Sequence, residues 1–140
     1  MNDMTPSARV LIVDDVPNNI DVLASALGGD YEISVSTSGT VALELVERQR
    51  PDLILLDVMM PGMTGFEVME RLKAGARTRS IPVIFVTARA DAASETAALE
   101  AGAVDFIHKP INPSVVRARV RHQLELARYR AHLEALVDIR

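Results

Sequence analysis

Pro51-Asp52-Leu53-Ile54-Leu55-Leu56-Asp57-Val58-Met59-Met60-Pro61-Gly62-Met63-Thr64-Gly65 is the stretch that decides the fold. Four aliphatic residues, Leu53 to Leu56, run unbroken into an aspartate and then a Pro-Gly loop. An unalternated aliphatic run bounded by turn residues suits a strand buried on both faces, as in a parallel sheet covered by helices. Asp57 then stands at the carboxyl end of that strand, the edge where open α/β sheets bind ligands. An isolated aspartate there would be read more simply as a cap for the next turn. Asp57 is not isolated, because Asp14-Asp15, Thr87 and Lys109 each follow another predicted strand.

Outward from this stretch the chain alternates strand and helix. Arg9 to Val13 is a second aliphatic run, and Pro17 suits the first position of a helix whose apolar residues Ile20, Leu23, Ala24 and Leu27 recur until Gly28-Gly29. Tyr31, Ile33 and Val35 alternate with polar residues, which predicts a half-exposed strand. A helix is expected from about Thr40 to Gln49, with Val41, Leu43, Leu45 and Val46 as its apolar residues. Thr64-Gly65-Phe66-Glu67 is a capping box opening a helix through Val68, Met69 and Leu72. Pro82 to Thr87 predicts the fourth strand, Asp91 a cap for the fourth helix, and Val104 to His108 a fifth strand of mixed polarity.

Five such alternations call for a parallel sheet with right-handed crossovers and helices on both faces. The wholly apolar strands one, three and four belong in the centre, and the mixed strands two and five at the edges. The order 2-1-3-4-5 meets that condition, an α/β, flavodoxin-like doubly wound (βα)5 fold with its switch point between strands one and three. Asp14-Asp15 and Asp57 then face each other across the crevice.

From Pro113 to Arg140 there is no glycine and no further proline, enough for a helix of roughly 40 Å. Val116, Val120 and Leu124 form a stripe suited to packing on the domain. Leu126, Tyr129, Leu133 and Leu136 follow at spacings of three, four and three, a short heptad seam on another face. The expected division is therefore a domain over residues 8–124 and a helical, coiled-coil-like extension over 125–140.

Composition narrows the class. At 140 residues, 49% hydrophobic and without cysteine, the chain is one ordinary domain plus an extra element, with no disulfide or thiolate metal site. No apolar run approaches a membrane span, and Met1 to Ser7 lack a signal core, so a cytoplasmic setting is expected. Residues 1–111 carry 9 Lys and Arg against 16 Asp and Glu, and residues 112–140 carry 6 against 3. So acidic a body disfavours nucleic-acid binding.

The crevice has a definite chemistry. Three neighbouring carboxylates need a cation or raised pKa values to coexist. Oxygen donors without His or Cys favour Mg²⁺, with Mn²⁺ able to substitute. An aspartate can act as nucleophile and form an aspartyl-phosphate, with Lys109 supplying positive charge and Thr87 a hydroxyl donor.

Val13-Asp14-Asp15, Leu56-Asp57-Val58-Met59-Met60-Pro61-Gly62-Met63-Thr64-Gly65, Val86-Thr87-Ala88 and Asp105-Phe106-Ile107-His108-Lys109-Pro110 together resemble the receiver domain of two-component response regulators. The resemblance covers residues 8 to about 124. It implies that Asp57 accepts a phosphoryl group from a sensor histidine kinase or phosphotransfer protein. It also implies that Asp15, Asp57 and the backbone carbonyl of Met59 bind Mg²⁺, with Asp14 acting through water. Thr87 and Lys109 would contact the phosphoryl group, Phe106 would be the switch aromatic, and Lys109-Pro110 would be cis. Such a domain is no enzyme beyond its own phosphorylation and dephosphorylation, and Met59 and Arg89 would cover the crevice and govern the latter.

The long tail resembles linkers that precede cyclic-di-GMP enzymes, either phosphodiesterases or diguanylate cyclases, and its seam would support a weak homodimer. A DNA-binding output or a stand-alone regulator is the alternative. Two other classes compete with the switch. A haloacid-dehalogenase-like phosphohydrolase would need a second aspartate two residues after Asp57, where Met59 stands. A flavodoxin-like cofactor binder would need a phosphate-cradling loop where Asp14-Asp15 stand.

Overall fold

The computed structural model describes residues 7–88 and 91–137. The elements in chain order are β1 (Arg9–Val13), α1 (Pro17–Leu27), β2 (Glu32–Ser36), α2 (Gly39–Gln49), β3 (Leu53–Asp57), α3 (Gly65–Ala74), β4 (Val83–Thr87), α4 (Ala92–Glu100), β5 (Asp105–His108) and α5 (Pro113–Val137). All pairings are parallel, and the sheet order is β2-β1-β3-β4-β5, as strand polarity required.

Because strand side chains alternate between faces, the aliphatic runs feed two cores. Leu11, Val13, Ile54, Leu56, Val83 and Phe85 pack with Ala42 and Val46 of α2, Val68, Met69 and Leu72 of α3, and Ala98 of α4. Val10, Ile12, Leu53, Leu55, Ile84 and Val86 pack on the other face with Ile20, Leu23 and Leu27 of α1 and Val116 and Val120 of α5. Every residue of β3 and of β4 is buried.

Helix starts follow local chemistry. Thr64 and Glu67 form the reciprocal capping box at the head of α3, Thr64 Oγ1 accepting from the Glu67 amide at 3.2 Å and Glu67 Oε1 from the Thr64 amide at 2.8 Å. Ser38 caps α2, accepting from the amide of Val41. Beyond the end of α3, the Thr78 hydroxyl donates to the Leu72 carbonyl at 2.6 Å and satisfies one of the helix's last acceptors.

Three expectations need correction. Val41 is 45% exposed and Ala42 is fully buried, so α2 turns a small residue inward where the sheet comes close. In β2, Val35 is 48% exposed while Ser36 is buried, because this edge strand is only partly covered and Ser36 Oγ turns in to donate to the Ser38 carbonyl. Asp91 precedes α4 in extended conformation, but its carboxylate accepts from the Ser94 hydroxyl rather than from a helix amide.

α5 runs for 25 residues. Val116 and Val120 are buried and Leu124 packs beside them, but every residue from 128 to 137 is exposed. The helix therefore leaves the body of the domain where its apolar stripe changes face. Residues 138–140 of the expected extension lie outside the described residues.

Candidate functional site

The register brings the chemistry to one edge. Val13 pairs with Leu56, so Asp14 follows β1 beside Asp57 at the end of β3; Asp57 pairs with Val86, and Thr87 with His108, ahead of Lys109. The Lys109 amide donates to the Thr87 carbonyl at 2.8 Å, and the Lys109-Pro110 peptide is cis.

Carboxylate oxygens of Asp14, Asp15 and Asp57 come within 4.8 Å of one another. Asp14 is wholly buried and Asp57 nearly so. Three donors compensate Asp14: Oδ1 accepts from the Val16 amide at 2.9 Å and from Asn19 Nδ2 at 3.3 Å, and Oδ2 accepts from Lys109 Nζ at 2.9 Å. Asp57 has fewer. Lys109 Nζ is 3.6 Å from its Oδ1, and the Met59 amide donates to the same oxygen at 3.4 Å.

This shortage appears in the proton affinity of Asp57. Burial, reinforced by the negative charge of Asp14, raises its pKa from 3.8 to about 6 against the opposing pull of Lys109 and the Met59 amide. At neutral pH it is an ionised, poorly solvated carboxylate in a crowd of like charge. That environment suits a nucleophile and calls for a hard divalent cation; the all-oxygen donor set fits Mg²⁺.

Thr87 is buried at the neighbouring strand end. With Phe106, Val58, Met59, Phe66, Ser94 and Ala98 it lines a small hollow of about 70 Å³. Phe106 is half-buried and meets the ring of His108 edge-on, centroids 4.9 Å apart. His108, exposed at the end of β5, has its Nε2 3.2 Å from Glu95 Oε2. Met59 is 60% exposed at the mouth; Arg89 lies outside the described residues.

A model of the response regulator receiver domain matches residues 10–121, most of the chain. The chain belongs to that family. This receiver is 44% identical over 131 residues to the response regulator PleD of Caulobacter vibrioides, covering 93% of this chain and 28% of PleD. It is 39% identical over 125 residues to a protein of Vibrio cholerae named as a probable cyclic di-GMP phosphodiesterase, covering 89% and 28%. It is 40% identical over 121 residues to the DNA-binding response regulator MtrA of Mycobacterium tuberculosis, covering 86% and 52%. The solved receiver domain protein of Methanospirillum hungatei superposes with a TM-score of 0.81 at 27% identity, over 89% of this chain and 98% of that one. The receiver thus spans little more than a quarter of the first two relatives and about half of the third. Membership makes it a module of two-component, phosphorylation-dependent signalling. No described helix is long and apolar enough to cross a membrane.

Two residues of the site escaped the sequence reading. Asn19 looks like any first-turn polar residue, yet it donates to Asp14. Gly65 belongs to the capping box and the receiver-like motif, and neither shows how closely it approaches the β3 end. A Cβ there would collide with the Asp57 carbonyl oxygen and come 2.9 Å from Val58 Cα, while the Gly65 amide donates to the Val58 carbonyl at 2.9 Å. A glycine after a Pro-Gly loop was the available signal.

Proposed function

We propose that Asp57 is the phosphoacceptor. A carboxylate oxygen attacks the phosphorus of a phosphohistidine on a sensor kinase or phosphotransfer protein. The O–P bond forms as the N–P bond breaks, and the imidazole nitrogen keeps the electron pair. The observation that carries this reading is Lys109 Nζ, 2.9 Å from Asp14 and 3.6 Å from Asp57, at the edge to which the sheet brings all of these groups. Lys109 and the Thr87 hydroxyl then bind phosphoryl oxygens, and Phe106 reports the change to the face of α4 and β5. Asp15, Asp57 and the Met59 carbonyl, with Asp14 through water, would hold Mg²⁺. When bound, the ion offsets the carboxylate charge and the negative charge on the phosphoryl oxygens.

The test is phosphorylation by acetyl phosphate, with excess Mg²⁺ and with chelator. Labelling that needs the ion and is lost in Asp57→Ala is expected. Full labelling of that variant would refute the assignment.

We place the domain boundary at residues 124/125 and read Leu126, Tyr129, Leu133 and Leu136 as the seam of a weak homodimer. The support is their exposure, 39%, 63%, 42% and 56%, on a helix that has left the domain. For output we favour a cyclic-di-GMP enzyme over a DNA-binding domain, on the Vibrio cholerae relative and the continuous helix; MtrA is the counterexample. The chain itself does not bind nucleic acid on this reading and works in the cytoplasm. Sedimentation equilibrium of wild type and Leu133→Asp, with and without beryllofluoride, tests the seam; equal association of the two proteins would discard it.

A further inference from the structure

We propose that the partner on the free end of α5 is a second copy of this chain lying parallel and in register, and that Glu125 and Arg130 fix that orientation. The inference rests on the seam reading and adds which way round the partner lies. At about 100° per residue, Leu126, Tyr129, Leu133 and Leu136 fall on one side of the helix. Leu124, Ala127, Arg128 and Ala131, which line a groove with Asp52 at the edge of the domain, fall on the opposite side. The apolar edge therefore points away from the receiver body, and a second helix can lie along it without meeting that body.

Upstream, the same heptad positions are filled by Arg119 and His122. Arg119 is already engaged, with Nη1 2.7 Å from Asp105 Oδ1 and 3.1 Å from the Phe106 carbonyl. The seam thus begins where the helix comes free. Leu126 and Leu133 take the a positions, and Tyr129 and Leu136 the d positions. Glu125 is then g and Arg130 is e, one on each flank, and both are exposed.

Charged e and g residues of a coiled coil set partner choice and orientation. In a parallel pair each g side chain reaches the e side chain five residues on in the other helix. Two-fold symmetry then makes the Glu125–Arg130 contact twice. In an antiparallel pair g meets g and e meets e, and both contacts are lost. The next g and e residues, His132 and Val137, cannot make such a pair, so among the described heptad positions this is the charge contact that sets orientation.

The absence of native cysteine makes single cysteines clean reporters. Leu126→Cys and Leu133→Cys, oxidised mildly in the full chain, should each form a disulfide with its own counterpart; an antiparallel pair cannot bring both positions onto themselves. Sedimentation of Glu125→Arg, of Arg130→Glu and of their equimolar mixture provides the second measurement. The mixture restores both contacts and should associate about tenfold more tightly than either variant alone. Disulfides at both positions with preferential mixing support the proposal. If wild type dimerises but neither cysteine variant forms its disulfide, the parallel arrangement is overturned and the seam stands. A wild type that stays monomeric at every concentration overturns the seam and this inference with it.

Discussion

Lys109 Nζ donates to Asp14 Oδ2 at 2.9 Å across 95 residues of sequence, with Asp57 only 3.6 Å away. The ammonium is the one fixed positive charge in the described cluster, and it favours Asp14. On the proposed reading it would compete with a divalent cation for the carboxylates and also contact the phosphoryl group. Lys109→Ala should bind Mg²⁺ more tightly, by about 2–10-fold, and yet be phosphorylated at least about tenfold more slowly. Calorimetric Mg²⁺ titration and the acetyl phosphate labelling rate read the two effects separately. Weaker Mg²⁺ binding by the variant would contradict the competition.

Asp57 supplies a pH prediction. Its folded-state pKa, about 6, lies above the ordinary 3.8, so the fold favours the protonated carboxyl. Stability is thus lost as pH rises between these values and is constant above them. Asp57→Asn removes the group that must charge. In the absence of Mg²⁺ the variant should be more stable than wild type by on the order of 2 kcal/mol at about pH 8, the gap closing toward about pH 4. Denaturant melts across that range check it; a gap that widens on acidification would contradict the assignment.

The sequence made most of this architecture legible, and the reasons are local. Leu53 to Leu56, bounded by turn residues, suits a strand buried on both faces, and the polarity of β2 and β5 gave the strand order. Asp14, Asp57, Thr87 and Lys109 could be grouped because each ends or directly follows a strand, and parallel strands bring those ends to one edge. Val41 against Ala42 was not legible, because which side of a short helix faces inward depends on how closely it approaches the sheet. Asn19 and Gly65 were missed for a related reason: a hydrogen bond to Asp14 and a contact with the β3 backbone exist only after folding.

Gly65 yields a prediction from sterics. With no room for a Cβ against the Asp57 carbonyl and Val58 Cα, Gly65→Ala must push α3 or the loop after β3 outward. A stability loss of about 1–3 kcal/mol is expected, together with slower phosphorylation, since that loop carries the Met59 amide and carbonyl. Thermal melting and labelling kinetics test both. Wild-type behaviour in each would mean that the loop adjusts freely.

On the proposed reading Met59, 60% exposed two residues after Asp57, would bear on how long a phosphoryl group lasts. Hydrolysis needs a water in line with the phosphorus, and a thioether neither admits nor orients one. Met59→Asn should speed dephosphorylation by about 2–10-fold. Loss of label after removal of the donor measures it, and an unchanged or slower rate would count against the role.

The central claim is that the phosphoryl group is carried by Asp57, and locating it chemically tests that most directly. Borohydride reduces an aspartyl-phosphate to homoserine, which peptide mass spectrometry can place in the sequence. After treatment with acetyl phosphate and Mg²⁺, homoserine should appear at position 57 and nowhere else. Homoserine at position 14 or 15, or label on a residue that borohydride does not convert, would contradict the account.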